Sequence, residues 1–187
     1  MPDLISSSSS GQAAPGRKRR KNTSADDAEL FRHMELLFFA YRDFTSDPDK
    51  MLEEIGFGRA HHRVLHFVTR HPGMCVADLL QILTITKQSL GRVLKQLIDE
   101  GFVHQRRNSR DRRERLLYPT EKGCILSRRL AAPQLDRLAN ALAAAGPAER
   151  KAAERFLFCM ITEAERAQVE KVVWGQDGRT NQQTKRA

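Results

Sequence analysis

Two neighbouring segments of the sequence carry side chains suited to nucleic-acid recognition. The first is the N-terminal half of a helix expected over about Lys87 to Glu100, whose outward face is polar. Glutamine can pair with adenine through two hydrogen bonds, arginine and lysine bond guanine, and serine and threonine bond bases or phosphates. Because the major groove admits one helix, these exposed polar residues are candidate DNA contacts. The candidates are Thr86, Lys87, Gln88, Ser89, Arg92 and Lys95.

The second segment is a hairpin with an arginine-rich tip, which contains six arginines between Arg106 and Arg115. Arginine side chains can enter a narrow minor groove, where the potential is most negative. A polar helix face or a basic loop taken alone is usually only solvated surface, so the order and spacing of the two segments are what favour DNA binding. The candidate DNA contacts at the tip are Arg110, Asp111, Arg112 and Arg113.

The overall composition also favours an anionic partner. The chain of 187 residues has a formal net charge of +9 and is 40% apolar, which points to nucleic acid or an anionic membrane surface. No apolar run approaches the roughly 18 residues that span a bilayer, and Met1 to Gly11 is rich in serine, unlike a signal peptide. We therefore expect a cytoplasmic protein with no membrane partner.

A helix-turn-helix must position the polar helix face. Apolar residues at three- and four-residue steps predict a second helix from about Gly58 to Arg70, a third over Val76 to Leu83 and the fourth from Lys87. The segment His71-Pro72-Gly73 ends the second helix, and Gly101 is expected to end the fourth in the left-handed conformation.

Longer helices are predicted on either side of this unit. The first is expected from about Ala25 to Tyr41, and a loop follows over Thr45 to Pro48. Thr120 is the expected cap of a fifth helix that runs to about Ala145, where Gly146-Pro147 makes a break. A sixth helix is expected over about Ala148 to Val173, with one apolar face.

The period of the pattern changes between the fourth and fifth helices. Phe102-Val103 and Arg115 to Tyr118 predict two short strands on either side of the arginine-rich tip. Residues 1–24, with the basic run Arg17 to Lys21, and residues 175–187 are expected to be disordered tails. The predicted fold is mainly α with a small antiparallel β-wing, in one domain over residues 25–174.

Two alternatives to specific DNA binding are kept. The three cysteines, Cys75, Cys124 and Cys159, are far apart and odd in number, which indicates neither a disulfide framework nor a zinc site. A regulator that senses oxidants through one of them is the first alternative, and it requires a lowered thiol pKa. The second is a winged-helix module that binds proteins instead of DNA. The arginine-rich tip argues against it, because protein interfaces are rarely so positively charged.

The sequence indicates neither a metal site nor enzyme chemistry. His62 and His66 lie one turn apart on the second helix beside His61, but no third metal ligand is evident. There is no glycine-rich phosphate loop, no nucleophile elbow and no compact group of histidine and carboxylate residues. We therefore expect no cofactor and no enzymatic activity.

The sequence resembles the MarR family of winged-helix regulators over residues 74–123, and more loosely over 26–173. The matching segments are Val76 to Leu80, Ile85 to Leu97, Glu100 to Val103, Asp111 to Arg113 and Thr120 to Gly123. An Asp-Arg-Arg wing followed about ten residues later by Thr-Glu-Lys-Gly makes the resemblance specific.

This resemblance implies a homodimer on a pseudo-palindromic operator. The winged helix-turn-helix would cover about 58–120, and the helices of about 25–42 and 120–174 would interleave into a dimerisation layer. Arg113 takes the place of the characteristic wing arginine, and Asp111 that of the acidic residue that pairs with an arginine to hold the wing. A repressor role is the expected one.

The resemblance also implies a small aromatic or anionic effector in a cleft beside the dimerisation layer. Its candidate residues are Tyr41, Arg42, His62 and His66. Three positions depart from the family pattern. They are Cys75 as a poor cap of the third helix, Gly91 inside the recognition helix, and Pro119, which predicts an early end to the last wing strand.

Overall fold

The computed structural model describes residues 24–109, 111 and 113–175. The predicted tails before residue 24 and after residue 175, and the predicted contacts Arg110 and Arg112, lie outside this range. The chain divides into two compact units at Ala40/Tyr41. The described part of the first unit is helical, and all other elements belong to the second.

Seven helices and three strands make up the described chain. The helices are α1 (Ser24–Glu53), α2 (Arg59–Arg70), α3 (Val76–Leu83), α4 (Lys87–Asp99), α5 (Glu121–Ala145), α6 (Glu149–Met160) and α7 (Glu163–Trp174). The strands are β1 (Met74–Cys75), β2 (Val103–Arg107) and β3 (Arg115–Pro119). The fold is mainly helical with a small antiparallel sheet, as the sequence predicted.

Local signals set the ends of the helix-turn-helix. Helix α3 has the predicted bounds, and α4 begins after Thr86, whose hydroxyl accepts a hydrogen bond from the Ser89 N–H at 3.1 Å. Gly101 has φ +76°, the predicted left-handed conformation. Between α3 and α4, Thr84 also has a positive φ, +52°. The tight turn therefore depends on a non-glycine residue in a conformation that costs roughly 1 kcal/mol.

The sheet has the order β1-β3-β2. β2 and β3 form the predicted hairpin, with register from Val103↔Pro119 to Arg107↔Arg115. The expectation that Pro119 shortens the last strand is wrong, because β3 runs to Pro119, which pairs with Val103 beyond the residues of β3 that β1 reaches. The side of Pro119 away from β2 therefore needs no ladder donor. The two-residue strand β1, paired with Leu116 and Leu117, was not predicted.

An aliphatic core lies around α2. Its side chains pack between the helix-turn-helix and the start of α5, and Val64, Leu65 and Val68 are each at most 1% exposed. The other members that are almost completely buried are Leu52, Leu79, Leu90, Leu97, Val103, Leu117 and Leu130. Burial of one such side chain stabilises the fold by about 1.5–3 kcal/mol, so this cluster fixes α4 and the base of the wing.

The predicted loop over Thr45–Pro48 is wrong, because α1 continues through it to Glu53. Pro48 has no N–H to bond the carbonyl four residues earlier, that of Phe44, and an internal proline normally breaks a helix. Here Gln134 Nε2 on α5 donates to Phe44 O at 3.1 Å. A side chain from another helix thus replaces the missing backbone donor, and Pro48 itself is buried.

We expect Gln134→Met to lower the free energy of unfolding by about 1 kcal/mol, because it leaves Phe44 O without this donor. In a Pro48→Ala background the loss should be smaller, since an alanine at this position restores a backbone N–H for the same carbonyl. Urea denaturation of the four proteins in this double-mutant cycle measures the coupling. If the losses of stability from Gln134→Met and Pro48→Ala simply add, Gln134 does not replace the donor that Pro48 lacks.

The predicted sixth helix is two helices, α6 and α7, separated by Ile161 and Thr162. Ile161 is extended, with φ −71° and ψ +138°. Arg166 stabilises the break, since its Nη2 donates to Cys159 O at 2.8 Å and its Nε to Ile161 O at 3.0 Å. Within the described chain, no helix is both long enough and apolar enough to span a bilayer.

Candidate nucleic-acid interface

Helix α4 separates a buried apolar face from an exposed polar one. Leu90, Val93, Leu94 and Leu97 face the core. The six residues that the sequence assigned to DNA contact, Thr86, Lys87, Gln88, Ser89, Arg92 and Lys95, are all exposed. The structure therefore brings the predicted polar residues together on one side of one helix.

Intrahelical contacts order the two ends of this polar face. The Thr86 hydroxyl donates to Ser89 Oγ at 2.9 Å while it caps the helix. At the other end, Lys95 forms an ion pair with Asp99 one turn later. Gly91 lies on the exposed side, and a Cβ there would meet nothing within 4 Å. Packing within the protein therefore does not require this glycine.

Hydrogen bonds of Asp111 and Glu114 shape the wing tip. The Asp111 carboxylate accepts from the Arg113 backbone N–H at 2.9 Å, and Glu114 N donates to Asp111 O at 3.0 Å. Asn108 Nδ2 donates to Glu114 Oε2 at 2.7 Å across the hairpin. The resemblance implied that Asp111 pairs with an arginine side chain, whereas the contact seen among the described residues is with the backbone of Arg113. The Arg113 side chain is exposed.

The base of the wing is held by Tyr118, which the sequence analysis missed. Its ring stacks against His104 with centroids 5.6 Å apart, and the Arg106 guanidinium lies 5.1 Å from the ring centroid. Gly73 leaves room for the phenol, because a Cβ there would lie 3.2 Å from the Tyr118 hydroxyl. A tyrosine facing a glycine breaker is too weak a pattern to identify without the fold.

The segment Thr120 to Gly123 ties the end of α4 to the start of α5. Thr120 Oγ1 donates to Gly101 O at 2.7 Å and accepts from Gly123 N at 3.0 Å. Lys122 Nζ donates to Glu100 O at 2.8 Å and lies 4.1 Å from the Phe102 ring centroid. The sequence identified Thr120 as a cap, but the role of Lys122 depends on carbonyls that only the fold brings near.

Cys75 occupies the N-cap of α3, as expected. Its own N–H is bonded to Asp78 Oδ2 at 2.9 Å, so a carboxylate completes the start of this helix. Burial raises the pKa of the Cys75 thiol, which reduces the thiolate fraction at neutral pH. This shift is opposite to that required of a redox sensor. Cys124 is half-buried and Cys159 is exposed.

A cavity of about 250 Å³ lies between the last turns of α1, helix α2 and Gln134. Of the predicted effector residues, Tyr41, His62 and His66 line it, whereas Arg42 does not and instead bonds Asp43 Oδ1 at 2.8 Å. Residues of the wall not predicted from the sequence are Phe44, Thr45, Asp49, Arg59, Arg63, Phe67 and Gln134. Burial lowers the pKa of His62, which favours its neutral form.

The histidines of α2 are not gathered into a metal site in the described part of the chain, where no group of three or more potential ligands occurs. His61 is not among the cavity-lining residues, and protein groups contact both of its ring nitrogens. Gly58 N donates to Nδ1 at 3.1 Å, and Nε2 lies 2.9 Å from Gln96 Oε1 on α4.

Large apolar side chains remain exposed on several helices, and most of them lie on α1 and α6. On α1 they occur at successive positions around the helix, and several are more than half exposed. These are Leu30, Phe31, Leu36, Phe38, Phe39 and Tyr41. On α6, Phe156, Leu157 and Met160 are also more than half exposed. A helix that is apolar on several sides normally lies inside an assembly.

Comparison with known proteins identifies the family. A sequence model described as MarR family matches residues 55–114. The HTH-type transcriptional regulator PetP of Rhodobacter capsulatus is 51% identical over 121 residues, which are 65% of this chain and 73% of that protein.

Solved structures show the same fold. The MarR family transcription regulator SP03579 superposes with a TM-score of 0.61 at 17% identity, over 73% of this chain and 91% of that one. FabT of Streptococcus pneumoniae, solved in complex with DNA, gives 0.59 at 16% identity, over 70% and 94%. The sequence identity to PetP and the family match together show that this chain belongs to the MarR family of transcriptional regulators, which are not enzymes.

Proposed function

We propose that the protein is a homodimeric repressor that binds specific double-stranded DNA. Each subunit inserts α4 in a major groove and the β2–β3 wing in the adjacent minor groove. The observation that carries this proposal is the single exposed polar face of α4, which is followed directly by an arginine-bearing hairpin. The DNA complex of the structurally similar FabT supports it by fold.

Base reading is assigned to the middle of the polar face. Gln88 and Arg92 lie four residues apart and therefore on one side of the helix, and both are exposed. Their side chains suit adenine and guanine, respectively. Thr86 and Ser89 already share a hydrogen bond at the helix start, where backbone N–H groups favour phosphate. We therefore assign these two residues, with Lys87 and Lys95, mainly to phosphate contact and orientation.

Minor-groove binding is assigned to Arg113. The Asp111 carboxylate accepts a hydrogen bond from the Arg113 backbone N–H. This bond restrains the backbone from which the Arg113 guanidinium extends. The wing contacts proposed beside it are Asp111 and the tip arginines Arg110 and Arg112. Such contacts depend on groove width and charge more than on hydrogen bonding to base edges.

The dimer is assigned to the long helices outside the winged helix-turn-helix. We place the DNA-binding unit at about residues 58–120 and the dimerisation helices at about 25–42 and 120–174, between two tails. The exposed apolar surfaces of α1 and of α6 need a cover, and two DNA-binding units related by twofold symmetry would read a pseudo-palindromic site. A regulator of chromosomal DNA in a bacterium would act in the cytoplasm.

The cavity beside α2 is the proposed effector site. Tyr41, Phe44 and Phe67 offer aromatic walls, and Arg63 offers positive charge. A small aromatic anion fits this combination. Its binding would release the operator by favouring a dimer whose recognition helices are wrongly spaced. Arg42 lies outside the lining, and we assign it no role at this site.

The test compares the operator with random DNA, after the operator has been located by genome-wide mapping of bound sites. Gln88→Ala and Arg92→Ala should each reduce the operator-to-random affinity ratio by about 1–3 kcal/mol, or roughly 5- to 150-fold. Arg113→Ala should weaken binding to the operator through the loss of its groove contact. Fluorescence anisotropy titrations at several salt concentrations measure all three, and affinity should fall steeply with salt.

Arg70→Ala is the matched control, because Arg70 is also exposed but lies at the end of α2, outside the proposed DNA contacts and the proposed dimerisation helices. It should bind the operator like the wild type. Unchanged operator binding by the Arg113 variant would reject the wing assignment. An unchanged affinity ratio in both α4 variants would reject base reading by this helix.

A further inference from the structure

Among the residues that line the cavity, only Arg63 has a hydrogen bond to α3 or α4 within the described part of the chain. Its side chain lines the cavity beside Tyr41 and His62. Its Nη2 also donates to the backbone carbonyl of Leu83, at 3.4 Å. Because this bond is long, a competing acceptor at normal distance would displace it readily. The Arg63 side chain thus borders the cavity and also contacts the turn before α4.

Leu83 O belongs to the part of the fold that aims the recognition helix. Leu83 is the last residue of α3, so its carbonyl has no acceptor role within that helix. Thr84 follows in the left-handed conformation, and Thr86 then caps α4. A strained turn of this kind persists only when its surroundings hold it. The Arg63 contact is one of these restraints.

A second contact from α2 holds the other half of α4. His61 Nε2 lies 2.9 Å from Gln96 Oε1, and Gln96 lies near the C-terminal end of α4. The stacked Phe57 ring, 4.6 Å from the His61 ring, fixes this imidazole. The two contacts therefore restrain α4 at opposite ends, and only the Arg63 contact adjoins the cavity. Its loss would remove a restraint at the start of α4, while the apolar core and the His61–Gln96 contact continue to hold the rest of the helix.

Among the cationic and titratable groups considered in the cavity lining, Arg63 is the one available to bind an anion. The other guanidinium in the lining, that of Arg59, is engaged by both carboxylate oxygens of Asp49 at 2.7–3.1 Å. Burial lowers the pKa of His62 and favours its neutral form. A carboxylate accepts stronger hydrogen bonds from a guanidinium than a backbone carbonyl does. An anion in the cavity would therefore compete with Leu83 O for Arg63.

We propose that Arg63 is a positioning residue that couples this cavity to the turn before the recognition helix, and that a small aromatic carboxylate releases the turn by drawing the Arg63 guanidinium away from Leu83 O. The proposal rests on the effector site proposed above. It adds two points to that site. Arg63 transmits the binding of a ligand in the cavity, and the part of α4 that moves is the half that carries Gln88 and Arg92.

Hydrogen exchange of the full-length protein without DNA tests the coupling. The amides of Thr84, Ser89 and Leu90 are bonded within the turn and the first turn of α4, so their exchange reports on it. In Arg63→Met these amides should exchange about three- to tenfold faster than in the wild type. Millimolar benzoate should accelerate the same amides in the wild type and add little in Arg63→Met. Arg70→Met, an exposed arginine on the same helix, should match the wild type in both conditions.

Two results would overturn the coupling. One is exchange in Arg63→Met equal to that of the wild type. The other is an equal response of both proteins to benzoate. A wild-type turn that benzoate leaves unchanged would overturn the competition for Arg63. Because exchange is measured without DNA, these failures are distinct from a failure of operator binding, which the anisotropy titrations report.

Discussion

Gly123→Ala is expected to destabilise the protein by about 3 kcal/mol, the upper range for forcing an extra methyl into a packed site. A Cβ at this position would lie 2.1 Å from the carbonyl oxygen of Phe102 and 3.1 Å from its carbonyl carbon. Real carbon and oxygen atoms do not approach so closely, so either α5 or the Phe102 backbone must move. The measurement is the free energy of unfolding from urea denaturation.

Neither side of this contact can move cheaply. Phe102 O accepts from Thr120 N at 3.0 Å, and Phe102 N donates to Leu97 O at 2.8 Å, so its backbone is bonded to both neighbouring elements. Gly123 itself is bonded to the Thr120 hydroxyl. The gain in helix propensity from glycine to alanine, up to about 1 kcal/mol, does not offset such a clash.

Gly91→Ala is the matched control for this prediction. Gly91 is also a helical glycine, but a Cβ there meets nothing within 4 Å. The same substitution should therefore raise stability by about 0.5–1 kcal/mol. A Gly123→Ala protein as stable as the wild type would contradict the close approach of α5 to Phe102. Equal changes in stability at both glycines would show that helix propensity alone determines the effect of the substitution.

The elements predicted correctly from the sequence are those whose ends are set by local chemistry. Helix α4 begins at a threonine cap and ends at a left-handed glycine, and both signals lie within a few residues of the elements they limit. The polar face of α4 was predicted for the same reason, because helical period alone places Gln88 and Arg92 on the side opposite Leu90 and Leu94.

The features that were missed are set by side-chain or strand contacts that leave no recognisable pattern in the sequence. The helix through Pro48 exists because Gln134, 90 residues after Phe44, supplies a donor. Strand β1 has two residues and forms only against Leu116 and Leu117. The break between α6 and α7 is held by a single side chain, that of Arg166. None of these causes appears in a local pattern.

The candidate nucleic-acid interface shows the same division between features set by a local pattern and features set by packing. Sequence spacing identified the wing and the recognition helix, whereas Arg63 and Lys122 act through backbone carbonyls on other elements. Which carbonyl a long cationic side chain reaches is decided by packing. A single sequence therefore predicts groups that face solvent better than groups that orient them.

Phe31→Asp is expected to convert the proposed dimer into monomers and to reduce operator affinity by roughly 100- to 10,000-fold. Phe31 is 59% exposed in the single chain, so a carboxylate there costs the protomer little. In a dimer that covers α1, the same carboxylate would be buried without a partner, at a cost of several kcal/mol. A monomer loses the second half-site and with it the avidity of two linked DNA-binding units.

Sedimentation equilibrium and anisotropy measure the two effects together. The variant should have the mass of one chain, 21.3 kDa, whereas the wild type should have twice that mass. Phe31→Leu is the control at the same position, because it keeps an apolar side chain and should remain dimeric. Leu157→Asp makes the same test on α6, where Leu157 is 57% exposed.

Circular dichroism distinguishes dissociation from unfolding, because the second unit keeps its buried core around α2 in either state. A folded Phe31→Asp monomer that retains weak, salt-sensitive DNA binding would show that the recognition helix and wing act within one subunit and that the dimer supplies the second half-site. Dimers that persist in both aspartate variants would place the subunit interface elsewhere. The exposed apolar residues of α1 and α6 would then need a different partner.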